Sequence, residues 1–346
     1  MATSRPRTRT VHREFGLGDA AALELYYAML VSRKLSEAAL KLAFQGTIDV
    51  AIPSDGHEAA QIASMRALRP TDPVYLFYRS VPAAYARGMT AREIFLDYFG
   101  SADGPSSGGK NLPGHWAKRE LNLMSVSGSV ATQIPHAVGS ALAAKLRGED
   151  SVSVAYFGDG GSSKSDFHEA LNFAAVHQLP VVLVCENNGV AISVPFDKQS
   201  AVARVADRSV GYAVVGISVD GADPLQVFRV MREAVEAARA GQGPALIEAR
   251  VTRLGQHTSQ VGDSRDAHDL ALARRLLDWL LKAWPEAVIS LPEIYRLGPN
   301  AVRDKATAEK LVKILVDHGW LEHLPNGAVI AGQRRREAWR VVGGAR

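Results

Sequence analysis

Two apolar runs, each ending at polar residues, constrain the fold of this 346-residue chain more than any other feature. Residues 152–157 are largely apolar and stop at Gly158-Asp159-Gly160. An amphipathic segment follows from about 165 to 177, and the apolar run 181–185 then stops at Asn187-Asn188. Strand, turn, helix and strand in this order predict a parallel α/β unit. Because parallel strands end at one edge of a sheet, we expect Asp159 and Asn188 to lie side by side where such sheets bind ligands.

The residue types at this edge fit a magnesium diphosphate. Mg²⁺ prefers hard oxygen ligands and keeps few from protein, here the Asp159 carboxylate, the Asn188 amide oxygen and the backbone carbonyl of Val190. Gly160 and Gly161 lack side chains that would block a phosphate, and N–H groups of the turn and the following helix point towards it. A bare Gly-Asp-Gly is equally a plain turn. The spacer of 26 residues and the Asn-Asn pair make the pattern specific.

Gly158-Asp159-Gly160 with Asn187-Asn188 resembles the thiamine diphosphate motif. Three neighbouring stretches narrow the resemblance to the alpha subunit of the decarboxylating (first) component of 2-oxo acid dehydrogenase complexes. They are Ala-Thr-Gln-Ile-Pro-His-Ala-Val-Gly at 131–139, Asp-Phe-His-Glu-Ala-Leu-Asn-Phe-Ala-Ala at 166–175, and Cys-Glu-Asn-Asn at 185–188 with Ala-Ile-Ser-Val-Pro at 191–195. The branched-chain type is more similar than the pyruvate type. The resemblance covers about residues 17–260.

The resemblance implies further roles in cofactor binding. It makes Tyr78 and Arg79 ligands of the diphosphate, and guanidinium geometry suits bidentate phosphate pairing. It places the backbone of Gly128, Ser129 and Val130 against the aminopyrimidine ring. It also implies that His257 contacts the cofactor phosphate as the catalytic histidine of this chain, while Arg253 helps to hold its loop. Without the resemblance, Arg79 reads as a surface or salt-bridged arginine and His257 as an exposed loop histidine.

The remaining pattern predicts how the chain is organised. Residues 1–16 are polar and Arg-rich, which predicts a disordered arm. Asp55 and Glu58 have capping-box spacing, which predicts a helix from about 55 to 68. Further strand and helix runs, including Asp223-Pro224 at a helix start and the strand 245–251, predict a doubly wound parallel sheet of the thiamine diphosphate-binding type over residues 17–262.

The composition indicates the cellular compartment that we expect and shows where the excess positive charge lies. Cys185 is the only cysteine and lies in an apolar run, so disulfides and cysteine metal clusters are excluded. No apolar run approaches a membrane span and the start lacks a secretory signal, so we expect a cytoplasmic protein, or a mitochondrial matrix protein if the source is eukaryotic. The net charge of +4 comes from residues 265–346, which contain 14 Lys and Arg and 10 Asp and Glu.

The family pattern stops near residue 260. The family continues with an acidic pair and a Tyr-Arg pair, whereas this chain reads Val-Gly-Asp-Ser-Arg-Asp-Ala-His at 261–268. The following pattern is helix, strand, helix, helix and a hairpin of strands 320–324 and 328–330, joined by Pro325-Asn326-Gly327. It resembles a winged-helix module, so residues 263–346 are predicted as a small α+β winged-helix-like tail. The tail is either an accessory module or a fusion or frame error, and a break inside a functional loop favours the second.

The leading hypothesis is therefore an alpha subunit of a branched-chain 2-oxo acid dehydrogenase. The resemblance implies an enzyme of the 3-methyl-2-oxobutanoate dehydrogenase type that uses thiamine diphosphate and Mg²⁺ and passes the acyl group to a lipoyl-bearing acyltransferase. It also implies a beta subunit, which supplies the activating glutamate, in a heterotetramer. The alternatives are a pyruvate or acetoin dehydrogenase alpha subunit, or a DNA-binding or regulatory fusion protein. Acidic residues interrupt the lysines of the third tail helix, which argues against nucleic acid as a partner.

Overall fold

The computed structural model describes residues 11–260, 264–299, 302–317, 319–330 and 332–342. It divides into two compact units, one of Met1–Ala39 with Ile48–Gly255 and one of Leu40–Thr47 with Gln256–Arg346. Each unit has its own apolar core. Among the described residues, no helix is long and apolar enough to span a bilayer.

Fifteen helices and strands lie before residue 251. They are α1 (Asp19–Phe44), α2 (Glu58–Arg66), β1 (Val74–Tyr75), α3 (Val81–Arg87), α4 (Ala91–Tyr98), α5 (Gln133–Arg147), β2 (Ser153–Gly158), α6 (Ser165–Val176), β3 (Val181–Asn187), β4 (Val190–Ala191), β5 (Val194–Pro195), α7 (Phe196–Gln199), β6 (Val215–Asp220), α8 (Pro224–Arg239) and β7 (Ala245–Arg250). Short 3₁₀ helices occupy Val11–Phe15, Arg119–Leu121, Asp159–Ser163 and Val205–Tyr212.

A five-stranded sheet in the order β1-β2-β3-β7-β6 forms the centre of the first unit, and its neighbouring strands are all parallel. Side chains of α5 and α6 pack with Ala155, Phe157 and Leu183 on one face. On the other face, Tyr156 donates its hydroxyl proton to Ser64 of α2 at 2.9 Å. Helices therefore cover both faces, as a doubly wound fold requires, and the predicted fold class is confirmed.

Helix α8 is held at both ends, by a local cap at its start and by a long-range ion pair at its end. The Asp223 side chain caps α8 by accepting hydrogen bonds from the backbone of Leu225 and Gln226, at 3.0 and 3.1 Å, and Pro224 occupies its first turn. At the other end of α8, Arg239 contacts both carboxylate oxygens of the fully buried Asp72, at 2.9 and 3.0 Å. These contacts hold the end of α8 near Asp72, at the amino ends of the strands. The polar turns lie at the carboxyl ends of the strands.

The predicted disordered arm, residues 1–16, is only partly within the described residues. Residues 1–10 lie outside them. Val11–Phe15 form a 3₁₀ helix, which differs from the prediction. The reason is a pair of contacts that the composition did not reveal, because Arg13 and His12 both bind the Asp19 carboxylate, at 2.6 and 2.7 Å.

The second unit is a small α+β module. Its elements are α9 (Ser264–Lys282), β8 (Val288–Ile289), α10 (Leu291–Leu297), α11 (Lys305–Asp317), β9 (Leu321–Leu324), β10 (Ala328–Ile330), β11 (Gln333–Arg335) and β12 (Ala338–Val341). Its core contains Leu276, Ile294, Leu311 and Trp339. The predicted helix, strand, helix, helix order is present.

The predicted hairpin between residues 320–324 and 328–330 is wrong. A turn does form at Gly327, with φ of +64° and its N–H 3.0 Å from the Leu324 carbonyl. However, β9 pairs with β12 in the sheet β8-β12-β9, and β10 pairs with β11. The turn therefore separates two sheets, because each of the two strands pairs with a strand further along the chain.

The separate core of the second unit leads to a proteolysis prediction. With a core of its own, this unit should stay folded after the connection is cut. We expect limited proteolysis to cleave first between Thr258 and Asp269 and to give two fragments that separate on a sizing column. Resistance of these bonds under conditions that cleave a denatured control would show one cooperative unit. The predicted boundary between residues 262 and 263 stays a prediction until then.

Candidate active site

Asp159 and Asn188 meet at the carboxyl edge of the sheet. The parallel register pairs Gly158 of β2 with Glu186 of β3, so both strands end at the same level. The Asp159 side chain is nearly fully buried and accepts a hydrogen bond from the Asn188 backbone. Its Oδ2 also accepts a bond from Gln199 Nε2 at 2.6 Å. The structure therefore brings these two predicted ligands together.

The electrostatic state of Asp159 is set mainly by burial. Burial raises the pKa of Asp159 above that of an ordinary aspartate, while the hydrogen bonds from Gln199 and Asn188 and the nearby positive charge of Arg253 lower it in part. A carboxylate that has lost its water without gaining a full counter-charge is costly to ionise. A divalent cation would supply that counter-charge.

The turn after Asp159 allows close approach of a ligand. It is a 3₁₀ helix that leads into α6. A Cβ added at Gly160 would lie 3.0 Å from the Cβ of Ala191, and one at Gly161 would lie 3.7 Å from a methyl group of Val130. The first N–H groups of such a helix have no partner within it. A side chain would therefore be tight at Gly160 and would make ordinary contacts at Gly161. The predicted phosphate contacts of both glycines stay a prediction.

The Asn-Asn pair has two separate tasks. Asn188 Oδ1 accepts a hydrogen bond from the Val190 backbone at 3.1 Å, and an amide oxygen has a second lone pair for another partner. Asn187 instead orders the turn: its Nδ2 donates to Glu248 Oε1 at 2.7 Å and its Oδ1 accepts from Gly189 at 2.9 Å. Asn187 thus orders the turn that carries Asn188 and Val190, whose role as oxygen ligands stays a prediction.

Tyr78 and Arg79 follow β1 at the same edge of the sheet. Arg79 is almost completely buried, and its Nη1 donates to the Pro53 carbonyl at 2.5 Å. Its guanidinium lies 5.5 Å from the centre of the Tyr78 ring. Burial lowers the pKa of Arg79, and the neighbouring Arg253 lowers it further, whereas Tyr78 and Glu186 raise it. Two arginines thus lie close together, an arrangement that favours an anionic ligand.

Arg253 lies in a loop that crosses residues 53–56. Arg253 Nη2 donates to the Ile192 carbonyl at 3.0 Å, and Leu254 donates its N–H to the Asp55 carbonyl at 3.1 Å. Gly56 has φ of +92°, and a Cβ there would lie 1.8 Å from the Thr252 carbonyl oxygen. This close approach positions Arg253 beside the site, so Gly56 is required by both conformation and space.

Replacing Gly56 should therefore displace the Arg253 loop. In Gly56→Ala, the positive φ and the contact with Thr252 should lower the free energy of unfolding by about 1 kcal/mol or more. Thermal unfolding measures this loss. Gly211→Ala is the matched control, because a Cβ at Gly211 meets no atom within 4 Å. Equal melting temperatures for the two variants would show that the loop accommodates the methyl group.

The backbone of residues 128–130 forms an exposed loop before α5. Gly128, Ser129 and Val130 are all exposed, so their backbone is accessible to a ligand. Ala131, directly after them, is fully buried with φ of +77°. A non-glycine residue rarely adopts this conformation, and such strain is concentrated at functional sites. The strain is compatible with the predicted contact to the aminopyrimidine ring, which stays a prediction.

The predicted site residue His257 is half-buried in the loop 251–260 and belongs to the second unit. Its predicted catalytic and phosphate-binding role stays a prediction.

Sequence reasoning missed several residues that support the site. Gln199 binds Asp159, Glu248 holds Asn187 and also accepts from the backbone of Val205 at 3.0 Å, and Arg208 donates to the Ser162 carbonyl. Glu186 is fully buried at the end of β3. A charged residue inside an apolar strand was the available signal for Glu186 and Glu248, because such residues are rarely buried without a specific partner.

Comparison with known proteins identifies the family. Residues 26–267 match the dehydrogenase E1 component family. The chain belongs to the dehydrogenase E1 component family. The 2-oxoisovalerate dehydrogenase subunit alpha of Bacillus subtilis is 44% identical over 265 residues, which are 76% of this chain and 78% of that subunit. The pyruvate dehydrogenase E1 component subunit alpha of Staphylococcus aureus is 37% identical over 242 residues, 70% of this chain and 63% of that subunit.

Two further matches describe the two units. Residues 271–340 match the YfjI-like C-terminal winged helix domain, which confirms the winged-helix resemblance. A transketolase structure from Campylobacter jejuni superposes with a TM-score of 0.50 at 20% identity and covers 66% of this chain and 37% of that one. This likeness concerns the fold alone. The E1 component family depends on thiamine diphosphate, and an E1 alpha subunit has a beta subunit as its partner.

Proposed function

We propose that this chain is the alpha subunit of a branched-chain 2-oxo acid dehydrogenase E1 component. The observation that supports it most is the buried Asp159 next to Asn188, in a chain 44% identical to a 2-oxoisovalerate dehydrogenase alpha subunit. The reaction is oxidative decarboxylation of 3-methyl-2-oxobutanoate, with the acyl group passing to the lipoyl group of an acyltransferase component. We place the protein in the cytoplasm, in a heterotetramer with its beta subunit.

The residues present fit thiamine diphosphate and Mg²⁺. Asp159, Asn188 and the Val190 carbonyl would hold Mg²⁺ by oxygen atoms, the ligands that this ion prefers. Tyr78, Arg79, Arg253 and His257 would bind the diphosphate, and Gly160 and Gly161 leave space for it. The backbone of residues 128–130 would orient the aminopyrimidine ring. When bound, the cofactor accepts the electrons released with CO₂.

A substrate comparison tests this function. The chain, produced with its beta subunit and supplied with thiamine diphosphate and Mg²⁺, should turn over 3-methyl-2-oxobutanoate with a higher kcat/KM than pyruvate or acetoin, and of these three only the two 2-oxo acids can release CO₂. An artificial electron acceptor avoids the need for the acyltransferase. A preference for pyruvate would instead assign the pyruvate type, and no cofactor binding by the assembled protein would contradict the function.

The second candidate, a nucleic-acid-binding protein, rests on the winged helix match and on Arg334-Arg335-Arg336. Arg335 is already paired with the buried Glu293, at 2.5 Å. Glu309 pairs with Lys305 at 3.4 Å on α11, which reduces the positive charge of that helix. These pairings make the tail a weaker basis for function than the Asp159 edge, whether it is an accessory module or a fusion.

A further inference from the structure

A buried polar cluster beneath the site consists of His57, Gln61 and Glu186. All three side chains are fully buried. His57 Nδ1 lies 2.6 Å from Glu186 Oε2, and Gln61 Nε2 donates to the same oxygen at 2.8 Å. A buried carboxylate is costly unless it is bound by donors, so two donors on one oxygen fix its position.

Gln61 connects this cluster to Arg79. The same Nε2 donates to the Arg79 carbonyl at 3.1 Å, and Gln61 Oε1 accepts the N–H of Ala83 at 3.1 Å. Ser54 Oγ donates to the Arg79 carbonyl at 2.8 Å as well. The main chain of Arg79 is thus held from α2, and its guanidinium is held at Pro53.

Glu186 connects the cluster to the metal side of the site. It directly precedes Asn187-Asn188 at the end of β3, while Arg79 follows β1. The β2 strand lies between these two strands in the sheet, so no ladder hydrogen bond joins their ends. The side chain of Gln61 makes that connection from α2. Two buried atoms, His57 Nε2 and Glu186 Oε1, have no hydrogen-bond partner among the described residues. A cluster kept at this cost needs an explanation beyond packing.

We propose that Gln61, Glu186 and His57 form a positioning unit that holds Arg79 at the correct distance from Asn188, so that one diphosphate is bound by Arg79 and by the metal at Asn188 together. This inference rests on the proposed function, because it takes Arg79 as a ligand of the cofactor diphosphate. In this proposal, none of the three residues contacts the cofactor. Their effect passes through Arg79 and the Asn187-Asn188 turn.

A double-mutant cycle tests the unit in the full chain assembled with its beta subunit. Gln61→Met keeps the length of the side chain but removes both donated bonds and the accepted one. We expect it to weaken thiamine diphosphate binding in the presence of Mg²⁺ about tenfold. In the Arg79→Lys background the same change should cost no more than about twofold, because residues that act through one another are not additive. The exposed Gln242→Met is the control and should leave the dissociation constant unchanged.

A conservative pair at His57 gives an independent readout. His57→Asn keeps a side-chain N–H near the position of Nδ1, whereas His57→Leu has similar bulk without a donor. We expect near-normal affinity for thiamine diphosphate in His57→Asn and severalfold weaker binding in His57→Leu. Thermal unfolding should show that both variants are folded. This pair decides the question if Gln61→Met does not fold.

The outcomes separate the inference from the proposed function. Full additivity of Gln61→Met and Arg79→Lys, or equal affinities for the two His57 variants, would overturn the positioning unit alone. An assembled wild-type protein that does not bind thiamine diphosphate would overturn the proposed function and this inference with it. Coupling in the cycle, together with rescue by asparagine, would support the unit.

Discussion

Purified alone, the chain should release no CO₂ from 3-methyl-2-oxobutanoate, and addition of a beta subunit should start the reaction. The reason is chemical: the cofactor must lose a proton before it can react, and the glutamate that promotes this step in E1 components is expected on the beta subunit. Within the described part of this chain, the carboxylates at the site are Asp159, which faces the proposed metal, and Glu186 and Glu248, which are buried and held by internal partners. Because all three are already assigned to these contacts, we assign none of them to the aminopyrimidine ring, which we propose to bind at residues 128–130.

The measurement is CO₂ release with and without the beta subunit, at saturating thiamine diphosphate and Mg²⁺. Activity should change from undetectable to a rate of ordinary enzymatic size, on the order of 1 to 10³ s⁻¹. A beta subunit without its glutamate should bind the chain but not restore activity, which separates assembly from chemistry. Turnover by the chain alone would contradict its assignment as an alpha subunit.

Asp159→Asn should abolish most of the Mg²⁺-dependent affinity for the cofactor while leaving the fold intact. Asn keeps the size of the side chain and an oxygen that can accept the Gln199 bond, but it removes the anionic ligand of the proposed metal site. We expect binding to weaken about a hundredfold, which is ~2.7 kcal/mol. Calorimetric titration measures it. Asp197→Asn, an exposed aspartate on α7, is the control and should change nothing.

The same variant should have a more stable cofactor-free fold at neutral pH. Because burial raises the pKa of Asp159, the folded chain binds this proton more tightly than the unfolded chain does. Ionisation of Asp159 as pH rises through that pKa therefore lowers the free energy of unfolding, and asparagine removes this cost. Cofactor affinity of the wild type should fall on acidification at a higher pH than an ordinary aspartate would give. Equal binding by Asp159→Asn, or a lower apo melting temperature than wild type, would contradict this account.

Much of the first unit could be predicted from local sequence. The apolar runs around residues 152–157 and 181–185 become β2 and β3, and Asp223-Pro224 starts α8 as expected. The reason is that burial on both faces requires continuous apolar strands, and helix capping depends on residues close in sequence. The meeting of Asp159 and Asn188 also followed, since parallel strands end at one edge.

Local sequence patterns did not predict contacts between residues that are distant in sequence. Asp55 and Glu58 have capping-box spacing, yet α2 begins at Glu58 and His57 makes no side-chain cap. Asp55 instead accepts a bond from Ser36 at 2.5 Å, and Glu58 binds Arg33. In the tail, the turn at Gly327 was predictable, but β9 and β10 pair with β12 and β11. Strand pairing depends on all available edges, which a turn does not specify.

The sequence by itself determined the family, the doubly wound sheet and the meeting of Asp159 and Asn188 at its edge, because these depend on residue types at short spacing. Only the tertiary structure decided what holds them. Gln199 reaches Asp159 across 40 positions, and His57 reaches Glu186 across 129. Such contacts form only when packing brings separate elements together and excludes water. A buried carboxylate then needs hydrogen-bond donors from these other elements, because burying a charge without them is costly.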